Sequence, residues 1–258
     1  MSDTVQSDVT GRVAEVTIDR PDKLNALTTE TNTALRERFE ALEHRDIDVV
    51  ILKSAGDRAF VAGADINEIS DLTTREFIDF QRNGRETNDT IASHPAIVIA
   101  AVNGIAFGGG FELALASDMI VAGEGASFAT PEVQIGLVPG GGATQRLPEV
   151  VGPNKAKELL TTGDPITAAE GEDLGLVNRV VDDDSVEEEA RDLAGDIVGN
   201  APLAIREAKT LVDEGQNMPL PEGLSYEQSV TFTLFESDDV TEGIASFVED
   251  RDPEFAGQ

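Results

Sequence analysis

The sequence predicts an α/β fold. Apolar strand candidates alternate with amphipathic helices as far as Thr144, in the order strand, helix, strand, helix, strand, helix, strand. Beyond Thr144 helical patterns dominate, and residues 176–181 are the clearest further strand candidate. The chain of 258 residues is long enough for one large core, and a hydrophobic fraction of 40% with 11 Phe supplies it, although Trp is absent.

Residues 13–18 alternate apolar and polar, as a half-buried strand does. Arg20-Pro21-Asp22 interrupts the pattern. Thr28 or Thr29 can cap a helix running through Leu35, Phe39 and Leu42. Residues 48–53 are a second strand, closed by Ala55-Gly56-Asp57, and 60–65 are a loop. Residues 73–93 form a helix carrying Phe77, Phe80 and Ile91, and His94-Pro95 ends it. Residues 96–102 are the longest uninterrupted apolar run, which suits a buried central strand and is too short to span a membrane. A helix over 111–117 and a strand over 118–122 follow. Further helices are expected over 154–160, 168–174, 186–198, 202–212 and 226–235. A soft boundary near Asn200-Ala201-Pro202 separates an α/β core, 1–200, from a helical region, 201–258.

Against 19 Lys and Arg stand 50 Asp and Glu, a formal net charge of −31. Such a surface repels phosphate backbones and anionic lipids, so neither nucleic acid nor a membrane is an expected partner. The absence of Cys removes disulfides, a thiol nucleophile and Cys-based metal sites. The start, Met1-Ser2-Asp3-Thr4, has no basic and apolar leader pattern, so a soluble cytoplasmic protein is expected. The acids are dispersed, which fits adaptation to high salt, where counterions screen self-repulsion. One dense stretch, 182–189, lacks the Asp-x-Asp-x-Asp-Gly calcium-loop pattern and reads as a solvated loop and helix start.

Four segments carry candidate chemistry. In Asn103-Gly104-Ile105-Ala106-Phe107-Gly108-Gly109-Gly110-Phe111-Glu112, glycines between a buried strand and a helix let backbone N–H groups approach an anion or a developing oxyanion. The same glycines also suit a tight, closely packed turn. Glu112 lies in that helix's first turn, where a carboxylate either complements the helix dipole or acts as an acid or base. Thr130-Pro131-Glu132 supplies a second carboxylate, and two glutamates in different environments can serve as base and acid. Val138-Pro139-Gly140-Gly141-Gly142 is another glycine-rich turn entering a helix, as a flexible loop or a substrate-lining one. A Gly-x-Ser-x-Gly elbow is absent, and the histidines, His44 in a polar helix and His94 before a proline, are both expected at the surface. Neither context suggests a Ser-His-Asp triad or a His-based metal site.

Together these segments resemble the crotonase, or enoyl-CoA hydratase/isomerase, superfamily. Arg20-Pro21-Asp22-Lys23-Leu24-Asn25-Ala26-Leu27 is similar to its opening element, and Phe60-Val61-Ala62-Gly63-Ala64-Asp65-Ile66 to its first oxyanion segment. The second runs from Ala101-Val102-Asn103-Gly104 through Glu112. Phe128-Ala129-Thr130-Pro131-Glu132, Ile135-Gly136-Leu137-Val138-Pro139-Gly140, the stretch 168–177 and the stretch 242–249 follow in the family's order.

The resemblance implies a spiral of ββα units with a C-terminal helical part that makes trimer contacts, often in hexamers. It implies backbone N–H groups of Ala64 and Gly109 as an oxyanion hole for a CoA thioester. It implies Glu112 and Glu132 as the catalytic pair adding water to a trans-2-enoyl-CoA. Substrate contacts carried over by position are Lys23, Leu24, Ala26, Arg58, Ala62, Asp65, Ile66, Gly108, Pro131, Gly140 and, from an adjacent subunit, Phe235. No metal is implied, and no cofactor beyond the CoA that the substrate carries. Asn67 and Asp250 stand where relatives often place lysines near the CoA phosphates, leaving Lys23, Arg58 and Arg251 for that role. An enoyl-CoA isomerase, a hydratase for branched or dicarboxylic chains, and a thioester- or RNA-binding scaffold are the alternative readings.

Overall fold

The computed structural model describes residues 4–258. Part of the opening read for a leader, Met1 to Asp3, lies outside the described residues. Strands β1 (Val5–Thr10) and β2 (Val13–Ile18) form an antiparallel hairpin. From there each turn of chain lays one strand in each of two sheets. Strand β3 (Val49–Ser54) is followed by β4 (Ala59–Val61), β5 (Ile97–Val102) by β6 (Ile105–Phe107), and β7 (Met119–Gly123) by β8 (Ser127–Ala129). With β9 (Ile166–Thr167) and β10 (Arg179–Val181), the described residues give a six-stranded sheet, β1-β2-β3-β5-β7-β10, and a four-stranded sheet, β4-β6-β8-β9. Strands β4, β6 and β8 are parallel neighbours, so their C-terminal ends lie side by side.

Helices close each turn: α1 (Thr29–Glu43), α2 (Ile66–Ser70), α3 (Thr74–Ala92), α4 (Gly109–Ala116) and α5 (Ala143–Val151). Then come α6 (Pro153–Thr162), α7 (Ala168–Asp173), α8 (Val186–Val198), α9 (Pro202–Gly215), α10 (Leu220–Phe235) and α11 (Asp238–Glu249). The Thr28 side chain accepts from the Thr31 N–H at the start of α1. Thr73 and Glu76 form a reciprocal capping box at the start of α3.

The central strands of the larger sheet, β3 and β5, are buried on both faces. Val50, Leu52, Val98 and Ala100 pack into the main core, with Leu35 and Phe39 of α1. Val49, Ile51, Ile99 and Val121 point the other way, against Val186, Ala190 and Ala194 of α8. Two-sided burial explains why the strands read as continuous apolar runs. The acidic stretch forms a turn and the first turn of α8. Asp183 accepts from the Gly125 N–H (2.8 Å), and Glu187 pairs with Lys53 (2.7 Å).

His44 is exposed, but His94 is not the surface residue expected. It is 1% exposed, because its side chain turns inward from a link whose neighbouring residues, Ser93 and Pro95, are exposed. Its ring meets Phe39 edge-on at 5.5 Å, and its Nδ1 accepts from the Ala96 N–H (3.2 Å). Burial lowers its pKa to about 4, with help from Lys209. Helix α9 is fastened nearby, where Lys209 donates to Asp118 (2.6 Å) and to the Ala96 carbonyl (3.1 Å). Among the described residues, no helix is long and apolar enough to cross a membrane.

Candidate active site

The aligned ends of β4, β6 and β8 each deliver one part of a site. Ala64 follows β4, Gly108 and Gly109 follow β6, and Pro131 and Glu132 follow β8. Ligand sites form readily beyond the carboxyl ends of parallel strands. These residues line one cavity of about 280 Å³, together with Glu112, Ala62, Ile66 and Gly140. It brings together residues as far apart in the sequence as Leu27 and Gly141.

The main chains of Ala64 and Gly109 come close together in the lining of this cavity. A Cβ built on Gly109 would lie 4.0 Å from the Ala64 nitrogen. The main chain around Ala64 is held as a strand-like bridge to Leu27, whose N–H donates to the Gly63 carbonyl (2.8 Å) and whose carbonyl accepts from the Asp65 N–H (2.8 Å). Gly109 opens α4, so its N–H has no intrahelical acceptor. Among the described residues neither amide N–H has a hydrogen-bond acceptor.

Glu112 is 5% exposed, one turn into α4. Its Oε1 accepts from the Gly141 N–H (2.7 Å) and the Ala143 N–H (3.1 Å). Burial raises its pKa, and those amides, with the Gly142 N–H and Arg146, oppose the rise. The loop is itself pinned, because the Gly141 carbonyl accepts from Asn88 (3.0 Å) and Arg146 (3.0 Å). Gly141 must lack a side chain: a Cβ there would sit 2.5 Å from Asn88 Nδ2 and 2.6 Å from Glu112 Oε2.

Glu132 stands in a short 3-10 turn that Pro131 begins. Its Oε2 is buried without a hydrogen-bond partner among the described residues. Burial, reinforced by the Glu112 carboxylate, pushes its pKa up to about 7. Gly108, at φ 52, adopts a backbone that side chains disfavour, and a Cβ there would lie 2.9 Å from Glu132 Oε1. Two carboxyl groups of unequal environment thus face one space beside two open amides, a set suited to moving protons next to a developing oxyanion.

The remaining predicted contacts divide. Lys23, Ala26 and Asp65 do not line the cavity. Asp65 caps α2 and meets Arg20 (3.2 Å). Leu24 and Arg58 line a separate hollow with Pro21 and Gly56. Phe235 ends α10, 70% exposed, away from its own chain's cavity. Arg251, expected as a contact to CoA phosphate, is paired with Glu242 (2.5 Å) and Glu249 (2.8 Å). Sequence reasoning did not find Asn88, whose support of the loop leaves no local pattern. Among the described residues no group of three or more His, Asp or Glu is placed to hold a metal ion.

Comparison with known proteins agrees across the chain. A family model described as Enoyl-CoA hydratase/isomerase matches residues 8–258. A protein of Syntrophomonas wolfei named crotonyl-CoA hydratase is 38% identical over 245 residues, covering 95% of this chain and 94% of its own. One of Salmonella typhimurium named carnitinyl-CoA dehydratase is 39% identical over 265 residues, the whole of both. The crystal structure of an enoyl-CoA hydratase from Bacillus anthracis superposes with a TM-score of 0.97 at 35% identity, covering 99% of this chain and all of that one.

Proposed function

The chain belongs to the enoyl-CoA hydratase/isomerase family, and from that premise we propose that it adds water across the double bond of a trans-2-enoyl-CoA, giving a 3-hydroxyacyl-CoA. The observation that carries this reading is the pair Glu112 and Glu132 beside the open amides of Ala64 and Gly109. The amides donate to the thioester carbonyl as it gains enolate character, each worth ~3–4 kcal/mol in comparable sites. Glu112, stabilised as a carboxylate by the Gly141 and Ala143 amides, takes a proton from water as the oxygen bonds to C3. Glu132, with its pKa near 7 and an unpartnered Oε2, delivers the proton to C2. One water is consumed, and the two protons exchanged return the pair to its starting state through solvent.

The second part of the proposal is self-association into trimers, singly or paired. Helices α10 and α11 expose Leu220, Leu224, Phe232, Phe235, Phe247 and Val248. This apolar surface in 201–258 suits contacts between copies. Light scattering should report a mass of three or six chains.

The activity is tested by following loss of the conjugated enoyl thioester absorbance with crotonyl-CoA, at low salt and in molar KCl. Hydration that Glu112→Gln and Glu132→Gln each depress by orders of magnitude supports the reading. No turnover at either salt, with CoA-ester binding intact, overturns it.

A further inference from the structure

Resting on the hydratase reading, we propose that the cavity selects short acyl chains whose far end carries a neutral hydrogen-bonding group, and that Asn32 is the residue that reads it. The wall formed by α1 and α3 is unexpectedly polar for an acyl pocket. Asn32, Gln81 and Asn88 all line it. Asn32 is 3% exposed and Asn88 4%. Burying an amide without partners costs about 1–3 kcal/mol, so amides at such depth are ordinarily paired.

These amides are incompletely paired. Among the described residues the Asn32 side chain makes no hydrogen bond; only its main-chain carbonyl does, to Thr87 (3.0 Å). Asn88 uses Nδ2 on the Gly141 carbonyl (3.0 Å) and leaves its Oδ1 without a donor. Gln81 rests its amide against Gly140 and likewise makes no side-chain hydrogen bond. Gly84 lies beside this amide, where a Cβ would come into ordinary contact with Asn32 Nδ2 at 3.7 Å. A helix-interior glycine weakens α3, so its presence needs an offsetting use, and leaving room beside this amide is one.

The chemistry of the occupant follows from charge. None of the residues lining the cavity is Lys, Arg or His, while Glu112 and Glu132 are both there. A carboxylate tail would meet two carboxyl groups and no cation, which disfavours a dicarboxylic substrate. A hydroxyl or amide tail can accept from the Asn32 Nδ2, or donate to an amide oxygen of this wall. A purely apolar tail would bury these groups unpaired, and sites built to hydrogen-bond a substrate discriminate strongly against analogues that cannot.

The test compares isosteric substrate pairs on the intact enzyme: 4-hydroxycrotonyl-CoA against trans-2-pentenoyl-CoA, and 5-hydroxy-2-pentenoyl-CoA against trans-2-hexenoyl-CoA. The readout is the ratio of kcat/KM, hydroxylated over apolar, for the native enzyme, Asn32→Leu and Gly84→Ala. The inference expects at least one pair to favour the hydroxylated member about tenfold or more. Asn32→Leu should then collapse that ratio at least tenfold, which separates recognition from any intrinsic reactivity of the hydroxylated ester. Gly84→Ala, a change that fits its surroundings and favours the helix, should lower the same ratio by covering the amide, and it keeps the test decisive if Asn32→Leu fails to fold. Hydration of all four esters with ratios that neither variant moves overturns this inference while leaving the hydratase reading standing. Absence of hydration for every ester, crotonyl-CoA included, overturns the reading beneath it.

Discussion

Glu112 and Gly141 hold each other in place: the carboxylate accepts the Gly141 amide at 2.7 Å, and no side chain fits at Gly141 without striking that same carboxylate. Glu112 and the loop that orients it are one mechanical unit. Gly141→Ala should therefore push Glu112 and Asn88 apart while the rest of the core stays folded. Turnover of crotonyl-CoA is expected to fall about a hundredfold, as displacements near an ångström do. Circular dichroism should show native helix content. A variant with near-native kcat would mean that the loop does not position Glu112.

Glu132 should give the reaction its alkaline limb. Its carboxyl titrates near 7 in the folded chain, against 4.5 ordinarily, so activity that needs its protonated form declines above about pH 7. Glu132→Gln should abolish that limb along with most of kcat. The stability effect has the opposite benefit. A raised folded pKa means stability is lost as pH rises from about 4.5 to about 7, and this loss persists above. Glu132→Gln should thus be more stable than native at pH 8, by ~1–2 kcal/mol after discounting for partial solvent access, and should show no such advantage at pH 4. Equal denaturant midpoints at pH 8 would refute the shift.

His94 works in the other direction. It is buried neutral, with its pKa lowered from 6.5 to about 4. The unfolded chain takes up its proton first, so the stability it contributes is complete above pH 6.5 and drains away as pH falls toward 4. His94→Gln removes this dependence, and the difference in unfolding free energy between native and variant should shift by up to about 3 kcal/mol across that window. A constant difference from pH 7 to pH 4 would count against a neutral buried imidazole.

The Lys209–Asp118 pair fastens the helical region to the central sheet. Lys209 has a side chain only 6% exposed, and Asp118 is pushed up by burial and relieved by Lys209. Lys209→Met leaves Asp118 buried without its cation and the Ala96 carbonyl without that donor. The expected cost is about 3–5 kcal/mol, read as a large drop in the urea midpoint. A drop under 1 kcal/mol would show that water replaces the lysine readily.

Salt should help the substrate bind. The chain carries −31, CoA carries phosphate charge of the same sign, and Arg251 is already neutralised by Glu242 and Glu249. Screening relieves that repulsion, so KM for crotonyl-CoA should fall with KCl to a plateau. A KM that climbs steadily from low salt to molar KCl would contradict it.

The sequence made the fold class legible because two-sided burial writes long apolar runs, such as 96–102, into the chain. The strands that place the site were not legible. Three residues each, β4, β6 and β8 are too short to show a period. Their importance lies in being adjacent, which is a property of pairing and not of any one segment. Likewise β1 and α11 escaped notice, the first because its burial pattern shows little alternation. Glu112, Glu132, Ala64 and Gly109 could be nominated by residue type and resemblance, and only the folded chain reveals that they face one space. Asn32 and Asn88 stand in no motif; that they are buried follows from how α1 packs on α3. His94 misled because a His-Pro pair usually marks a surface turn; the turn is indeed at the surface, with Ser93 and Pro95 exposed, but the imidazole folds inward against Phe39.

Laying one strand per turn into the smaller sheet also divides the site among separate stretches of chain. The first amide belongs to the turn ending in β4, the second amide and Glu112 to the next, and Glu132 to the one after. Lengthening the loop after any one of these strands would leave the β4–β6 and β6–β8 pairings intact. Each part can therefore be altered on its own: the carboxyl after β8 can be lost or exchanged while the two amides of the first two turns stay together. Descendants of such a chain can inherit those amides unchanged beside a carboxyl group that is free to change.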